Sequence, residues 1–239
     1  MKARVPVLAI DGFSATGKGT VAAIVAGEWR WHLLDSGVLY RAFAYIAVQE
    51  KISPTDISAI RHLGHGMLLR CSYTPGRDMS VVWNETVLSE VLRAESVAQI
   101  ASQFAEQPVV REILLDQQRA NRRPPGLVAD GRDMGSRVFP DAAVKVFLTA
   151  TPEARAERRY KQLNEKGFSA SLAEIEKAMN ERDKRDQERA VAPTRPMPDA
   201  VVVDTTELEI ADVVARVREL VLRQYPRVNS PGGEPSTNL

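Results

Sequence analysis

The sequence predicts an α/β domain built on a parallel sheet with helices on both faces. Three observations lead there. An apolar run passes through a glycine-rich loop into a helix-forming stretch at residues 7–23, "VLAIDGFSATGKGTVAA". Four further apolar runs alternate with stretches of helix length. Each run ends near Asp, Ser, Thr or Gly, and open parallel sheets bind ligands just beyond the carboxyl ends of their strands.

In chain order, "VPVLAID" reads as a buried strand, and from Lys18 onward no breaker interrupts about two helical turns. "WHLLD" (31–35) is the second strand and 37–50 a helix. Over residues 64–90 the rhythm changes: "GMLLRCSY" and "DMSVVWN" flank "TPGR", a Pro-Gly turn signal joining two short strands. This reads as a hairpin inserted into the core, followed by a helix over 90–106. A helix over 109–121 leads to the strand "GLVADG" (126–131), and "VKVFLTA" (144–150) follows. Helices over 152–165 and 171–190, the strand "AVVVDT" (200–205) and a helix over 208–224 complete a domain of residues 1–227. The closing "VNSPGGEPSTNL" has almost nothing apolar, so 228–239 is expected to be a disordered tail.

Composition narrows the function. The 239 residues suffice for one α/β domain with a sizeable core. Charged residues make up 26% and nearly cancel to +1, which argues against a nucleic-acid binder but leaves local basic clusters free to hold a small polyanion. Cys71 is the single cysteine, so no internal disulfide or cysteine metal site is available. "MKARVPVLAI" lacks a long apolar run and no later stretch reaches spanning length, so a cytoplasmic protein with no membrane partner is expected, acting as a monomer.

The spacing G-x-x-x-x-G-K, filled by Gly12, Gly17 and Lys18, fits a phosphate-binding loop. Its backbone N–H groups and the following helix start surround anionic oxygens, while the lysine follows a terminal phosphoryl group as its charge grows. The residue after Lys18 is Gly19, and the hydroxyl comes at Thr20. That Gly-Lys-Gly-Thr version resembles the nucleoside monophosphate kinases. Three further constellations bear on the second ligand. In "LLDSGVLYRAF", Ser36 and Gly37 stand at a helix start with Tyr40 and Arg41 one turn along, suited to a phosphate; an N-capped helix with a surface arginine accounts for the same residues. "VADGRDMG" delivers Asp130, Gly131, Arg132, Asp133 and Gly135 to a strand end, with Arg132 suited to a phosphate and Asp133 to a ligand donor, or the two to each other. Arg155, Arg158 and Arg159 share one helix face, and Arg182, Asp186 and Arg189 another, as solvated ion-pair helices also would.

Together with "WHLLDSGVLYR", "ARAERR", "EKGF" and "ERDKRDQERAVAP", these motifs resemble the bacterial cytidylate kinases over about residues 5–225. The resemblance implies a core domain, a monophosphate-binding insert at 64–106 and a lid from Arg155 to about Phe168. It implies transfer of the terminal phosphoryl of ATP, with Mg²⁺, to CMP or dCMP. Gly12, Phe13, Ser14, Ala15, Thr16, Gly17, Lys18, Gly19 and Thr20 would hold ATP, with Thr20 touching the metal. Ser36, Tyr40, Arg41, Ser102, Arg111, Arg132, Asp133, Arg182, Asp186 and Arg189 would hold the monophosphate. Within that set Arg111 and Asp133 would lie near the cytosine, and Arg182 and Asp186 near the sugar with Ser102 beside Asp186. Lys18, Arg132, Arg158 and Arg189 would act on the transferring group. Phe13 and Ala15 depart from the Pro and Gly frequent in this loop, and Ala15 lacks glycine's freedom at positive φ. A kinase for another acceptor and a nucleotide-dependent switch remain as rival readings.

Overall fold

The computed structural model describes residues 4–73, 79–165, 167, 171–226 and 228. In chain order its elements are β1 (Val7–Gly12), α1 (Lys18–Trp29), β2 (His32–Asp35), α2 (Ser36–Gln49), α3 (Ile57–Gly64), β3 (Arg70–Ser72), β4 (Ser80–Trp83) and β5 (Thr86–Val87). There follow α4 (Glu95–Phe104), α5 (Pro108–Arg119), β6 (Leu127–Gly131), β7 (Val144–Thr149), α6 (Pro152–Glu165), α7 (Leu172–Glu188), β8 (Val201–Asp204) and α8 (Ile210–Gln224).

Five strands form a parallel sheet in the order β2-β6-β1-β7-β8. Every residue of β1 is buried, which explains why its sequence is a continuous apolar run and not an alternating one. Val7 and Ala9 face a core shared with Phe43, Phe104 and Leu114 of α2, α4 and α5. Leu8 and Ile10 face the other core, with Val21 and Val25 of α1 and Val213, Val217 and Val221 of α8. The chain leaves β1 toward the β2 edge and later crosses to β7 on the opposite side. That reversal opens a crevice at the carboxyl ends of the central strands.

The structure corrects the expected elements in four places. The single helix expected over 90–106 is a 3₁₀ turn, Val91–Arg93, followed by α4, because Ala94 between them has an extended backbone with ψ 138°. Helix α3 was not foreseen: it caps its start on Asp56 and buries only Ile60, too weak a pattern to read over eight residues. The inserted hairpin is a three-stranded antiparallel sheet, β3-β4-β5, whose last strand follows a turn at Asn84 and Glu85, both at positive φ. Its expected "TPGR" turn lies outside the described residues, as does the expected tail apart from Val228. Residues 134–138, for which no element was expected, wind into a π-helical turn. No helix among the described residues is long and apolar enough to cross a membrane.

Candidate active site

The loop after β1 takes the shape its glycines allow. Gly12, at φ 144°, lies beside Leu148 of β7, where an added Cβ would come within 2.0 Å of the Leu148 carbonyl oxygen. Gly17 has φ 89°, and Ala15 between them is also left-handed, at φ 57°. The Phe13 carbonyl accepts from Lys18 Nζ at 2.6 Å and from Thr16 Oγ1 at 3.0 Å, so the loop closes around its own lysine. Behind it, the Thr205 hydroxyl lies 3.2 Å from the Thr16 carbonyl and 3.0 Å from that of Thr149, joining the loop to the ends of β7 and β8. Burial, and next the Arg132 guanidinium, push the Lys18 ammonium down to about 8.

Carboxylates gather at the same strand ends. Asp35 and Asp130 are register partners on β2 and β6, and both line the cavity that Lys18 faces. Burial pushes the Asp130 carboxyl up to about 6, Lys18 opposing and Asp35 adding to the rise. Asp11, deeper on β1, accepts from the backbone N–H groups of Met134 and Gly135 at 2.7 and 2.8 Å and so fixes the turn behind Arg132 and Asp133. Burial pushes it up to about 7. Thr20 is exposed in the first turn of α1, outside the residues that line the cavity. At the position directly after Lys18, a Cβ on Gly19 would sit 3.4 Å from Asp130 Oδ2, so the acidic group that meets this turn is Asp130.

The far wall carries the residues expected to hold the monophosphate. Arg111 Nη2 donates to Asp133 Oδ2 at 2.5 Å in a buried ion pair, and its guanidinium carbon lies 5.5 Å from the centre of the Tyr40 ring. Ser36 Oγ donates to Gln118 Oε1 at 2.8 Å, and Arg41 donates to the Leu92 carbonyl at 3.2 Å. Arg132 does not pair with Asp133. It donates to Asp186 Oδ2 (2.8 Å), the Gly12 carbonyl (2.7 Å) and Ser14 Oγ (2.8 Å), bracing the loop against α7. Asp186 also pairs with Arg189. The Nε atoms of Arg182 and Arg189 and the Oγ of Ser102 are buried without a hydrogen-bond partner among the described residues, and all three side chains line the cavity. Burial pushes Arg182 and Arg189 down to about 9, with Arg132 a further cause for both.

The arginines of α6 do not act as one face. Arg155 is buried against the Phe13 ring and pairs with Asp183 of α7. Arg158, expected in the catalytic set, bonds the Thr205 hydroxyl and the Thr205 and Thr206 carbonyls, away from the cavity. Only Arg159 lines the cavity, where it pairs with Glu95 of α4 across the mouth. An i,i+3/i+4 pattern places side chains on one helix side but does not say which neighbour each reaches.

One cavity thus unites Ser14, Ala15 and Lys18 of the loop with Ser36, Tyr40, Arg41, Ser102, Arg111, Arg132, Asp133, Arg182, Asp186 and Arg189. Asp35, Asp130, Glu95 and Arg159 line it too; the sequence marks Asp35, Asp130 and Arg159 within its motifs without assigning any of them to a ligand, and Glu95 belongs to none of those motifs. An aspartate closing an apolar strand was the available signal for the first two. Seven cationic side chains face five carboxylates there, a surplus that suits an anionic ligand.

The cytidylate kinase family model matches residues 8–223. The cytidylate kinase of Methylococcus capsulatus is 48% identical over 217 residues, covering 90% of this chain and 96% of that one. That of Pseudomonas entomophila is 47% identical over 225 residues, with 93% and 99% covered. That of Burkholderia mallei is 46% identical over 230 residues, with 95% of each covered. With nearly the whole length matched at close to half identity, the chain belongs to the cytidylate kinase family.

Proposed function

We propose that this cavity transfers the terminal phosphoryl group of ATP to CMP and dCMP. The observation that carries the reading is the arrangement around Lys18: the phosphate loop on one wall, and on the other the buried Arg111–Asp133 pair with unpartnered nitrogens of Arg182 and Arg189 between. A phosphate oxygen of CMP attacks the γ-phosphorus, the bond from that phosphorus to the β,γ-bridging oxygen breaks, and CDP and ADP result. The attacking oxygen is already ionised near neutral pH, so no strong general base is needed. Lys18 leaves the Phe13 carbonyl to follow the charge of the moving group, and Arg132, Arg182 and Arg189 hold the phosphates in line.

The carboxylates fit a magnesium ion bound with the donor. Asp130 and Asp35 stand side by side beside Lys18, and burial already disfavours the charge on Asp130. No cluster of three ligating side chains occurs among the described residues, so phosphate oxygens and water would complete the shell, as magnesium prefers. When bound, the ion offsets phosphate charge. Arg111 and Asp133 offer cytosine a donor and an acceptor side by side, matching its ring acceptors and its N4 amino group. We assign Arg182 and Asp186 to the sugar, with Ser102 beside Asp186, all three lining the same cavity, in a protein that acts as a monomer. Dependence on ATP suits the cytoplasm.

A coupled assay of ATP against CMP, dCMP, UMP, AMP and shikimate, with and without Mg²⁺, tests the reading. Turnover stimulated most by CMP and dCMP, and only with the metal, is expected. Preference for another acceptor, or tight ATP binding with no acceptor-stimulated turnover, would overturn it.

A further inference from the structure

We propose that Phe13 and Arg155 are positioning residues that tie the phosphate loop to helix α6, so that the loop and the lid helix keep one relative placement. The Phe13 ring meets Phe147 of β7 edge-on, with centroids 5.8 Å apart and planes at 87°. The Arg155 guanidinium carbon lies 5.4 Å from the centre of the same ring, within cation–π range. Arg155 is itself buried, in the first turn of α6. Its Nε donates to the Ala150 carbonyl at 3.2 Å and its Nη1 pairs with Asp183. One guanidinium therefore touches the loop, the entry to α6 and α7.

Both ends of this contact lead into the cavity. The Phe13 carbonyl holds Lys18, while Asp183 directly follows Arg182 on α7. One helical turn beyond Arg155, Arg159 reaches Glu95 across the mouth. Rotating α6 away from Phe13 would carry Arg159 with it. Desolvation makes the cation–π contact stronger than an exposed one, and the ring on the loop gives α6 a stop that a small side chain would not supply.

The inference rests on ATP occupying the loop, so the test includes a readout that needs no turnover. Phe13→Leu keeps bulk and loses the π face; Arg155→Lys keeps charge and loses the planar stack. In the full chain without nucleotide, Phe13→Leu is expected to raise hydrogen exchange several-fold over residues 152–165, with α1 and α8 unchanged. The KM for ATP should rise about threefold to thirtyfold, the range between an exposed and a desolvated cation–π contact, while the KM for CMP stays within about twofold. The double variant should be no worse than Arg155→Lys alone. Wild-type exchange over 152–165 in Phe13→Leu, a rise spread equally through α1 and α8, or multiplying effects in the double variant would each overturn the inference. Failure of the monophosphate panel would instead overturn the proposed reaction and leave the exchange result standing.

Discussion

At Lys18, burial and neighbouring cations act in the same direction and push the ammonium down to about 8, with Asp130 and Asp11 opposing. It is cationic below that pH and neutral above it. The expected result is that kcat/KM for ATP, which reports the free enzyme, falls as pH rises through about 8, and that Lys18→Met flattens this limb while lowering activity far more than stability. A pH–rate series on both proteins, with thermal melts, checks this. Asp133 carries a second prediction. Its partner is Arg111, which leaves its carboxylate on the cavity wall as an acceptor for the cytosine amino group and a repellent for the uracil O4. A hydrogen bond to a charged group contributes roughly 1.5–3 kcal/mol, so Asp133→Asn should lose about tenfold to a hundredfold in kcat/KM for CMP and relax toward UMP. An unchanged CMP-to-UMP ratio would leave Asp133 with only the role of holding Arg111. The loop residues alone left Arg132 as the candidate partner of Asp133; the nearness of Arg111, which arrives from a helix 22 residues earlier in the chain, was expected only from the family resemblance.

At the scale of elements, the phosphate loop separates two kinds of constraint. Gly12 is fixed by contact, because a side chain there would strike the Leu148 carbonyl; Ala15 is held only by its own backbone, at φ 57°. Gly12→Ala should therefore destabilise by roughly 2–4 kcal/mol, with the end of the β1–β7 ladder disturbed. Ala15→Gly should be neutral or stabilise by up to about 1 kcal/mol, since relief of the left-handed backbone is partly offset by glycine's greater freedom when unfolded. Urea melts of the two variants check the contrast. The three central strands, β1, β6 and β7, were readable because burial on both faces leaves apolar runs; the edge strands β2 and β8 each bury one residue fully and were readable from short apolar runs alone. In the insert the antiparallel pair β3-β4 was readable from its turn signal, while β5, with two residues, is too short for any periodicity and its pairing is set by tertiary contact. The arginines of α6 show the same limit: spacing gave their helix face, while Thr205, Asp183 and Glu95, from distant parts of the chain, decide where each one points.

Across the whole molecule, α6 and the insert meet at the mouth of the cavity through Arg159 and Glu95. We propose that closure there would exclude water that could otherwise accept the phosphoryl group. A bisubstrate analogue is expected to slow hydrogen exchange over residues 156–165, and unchanged exchange would remove this segment from the role of lid. The sheet that carries the cavity has a further consequence for how the protein comes into being. Its central strand, β1, is the first strand to be made, yet Val7 pairs with Leu127 and Leu8 with Val144. On the ribosome, an apolar strand must wait without an edge to join until more than half the chain has emerged, and the loop that follows it gains its rear support only when Thr205 arrives. A nascent fragment ending before β8 lacks the Thr205 hydroxyl that backs the loop at Thr16.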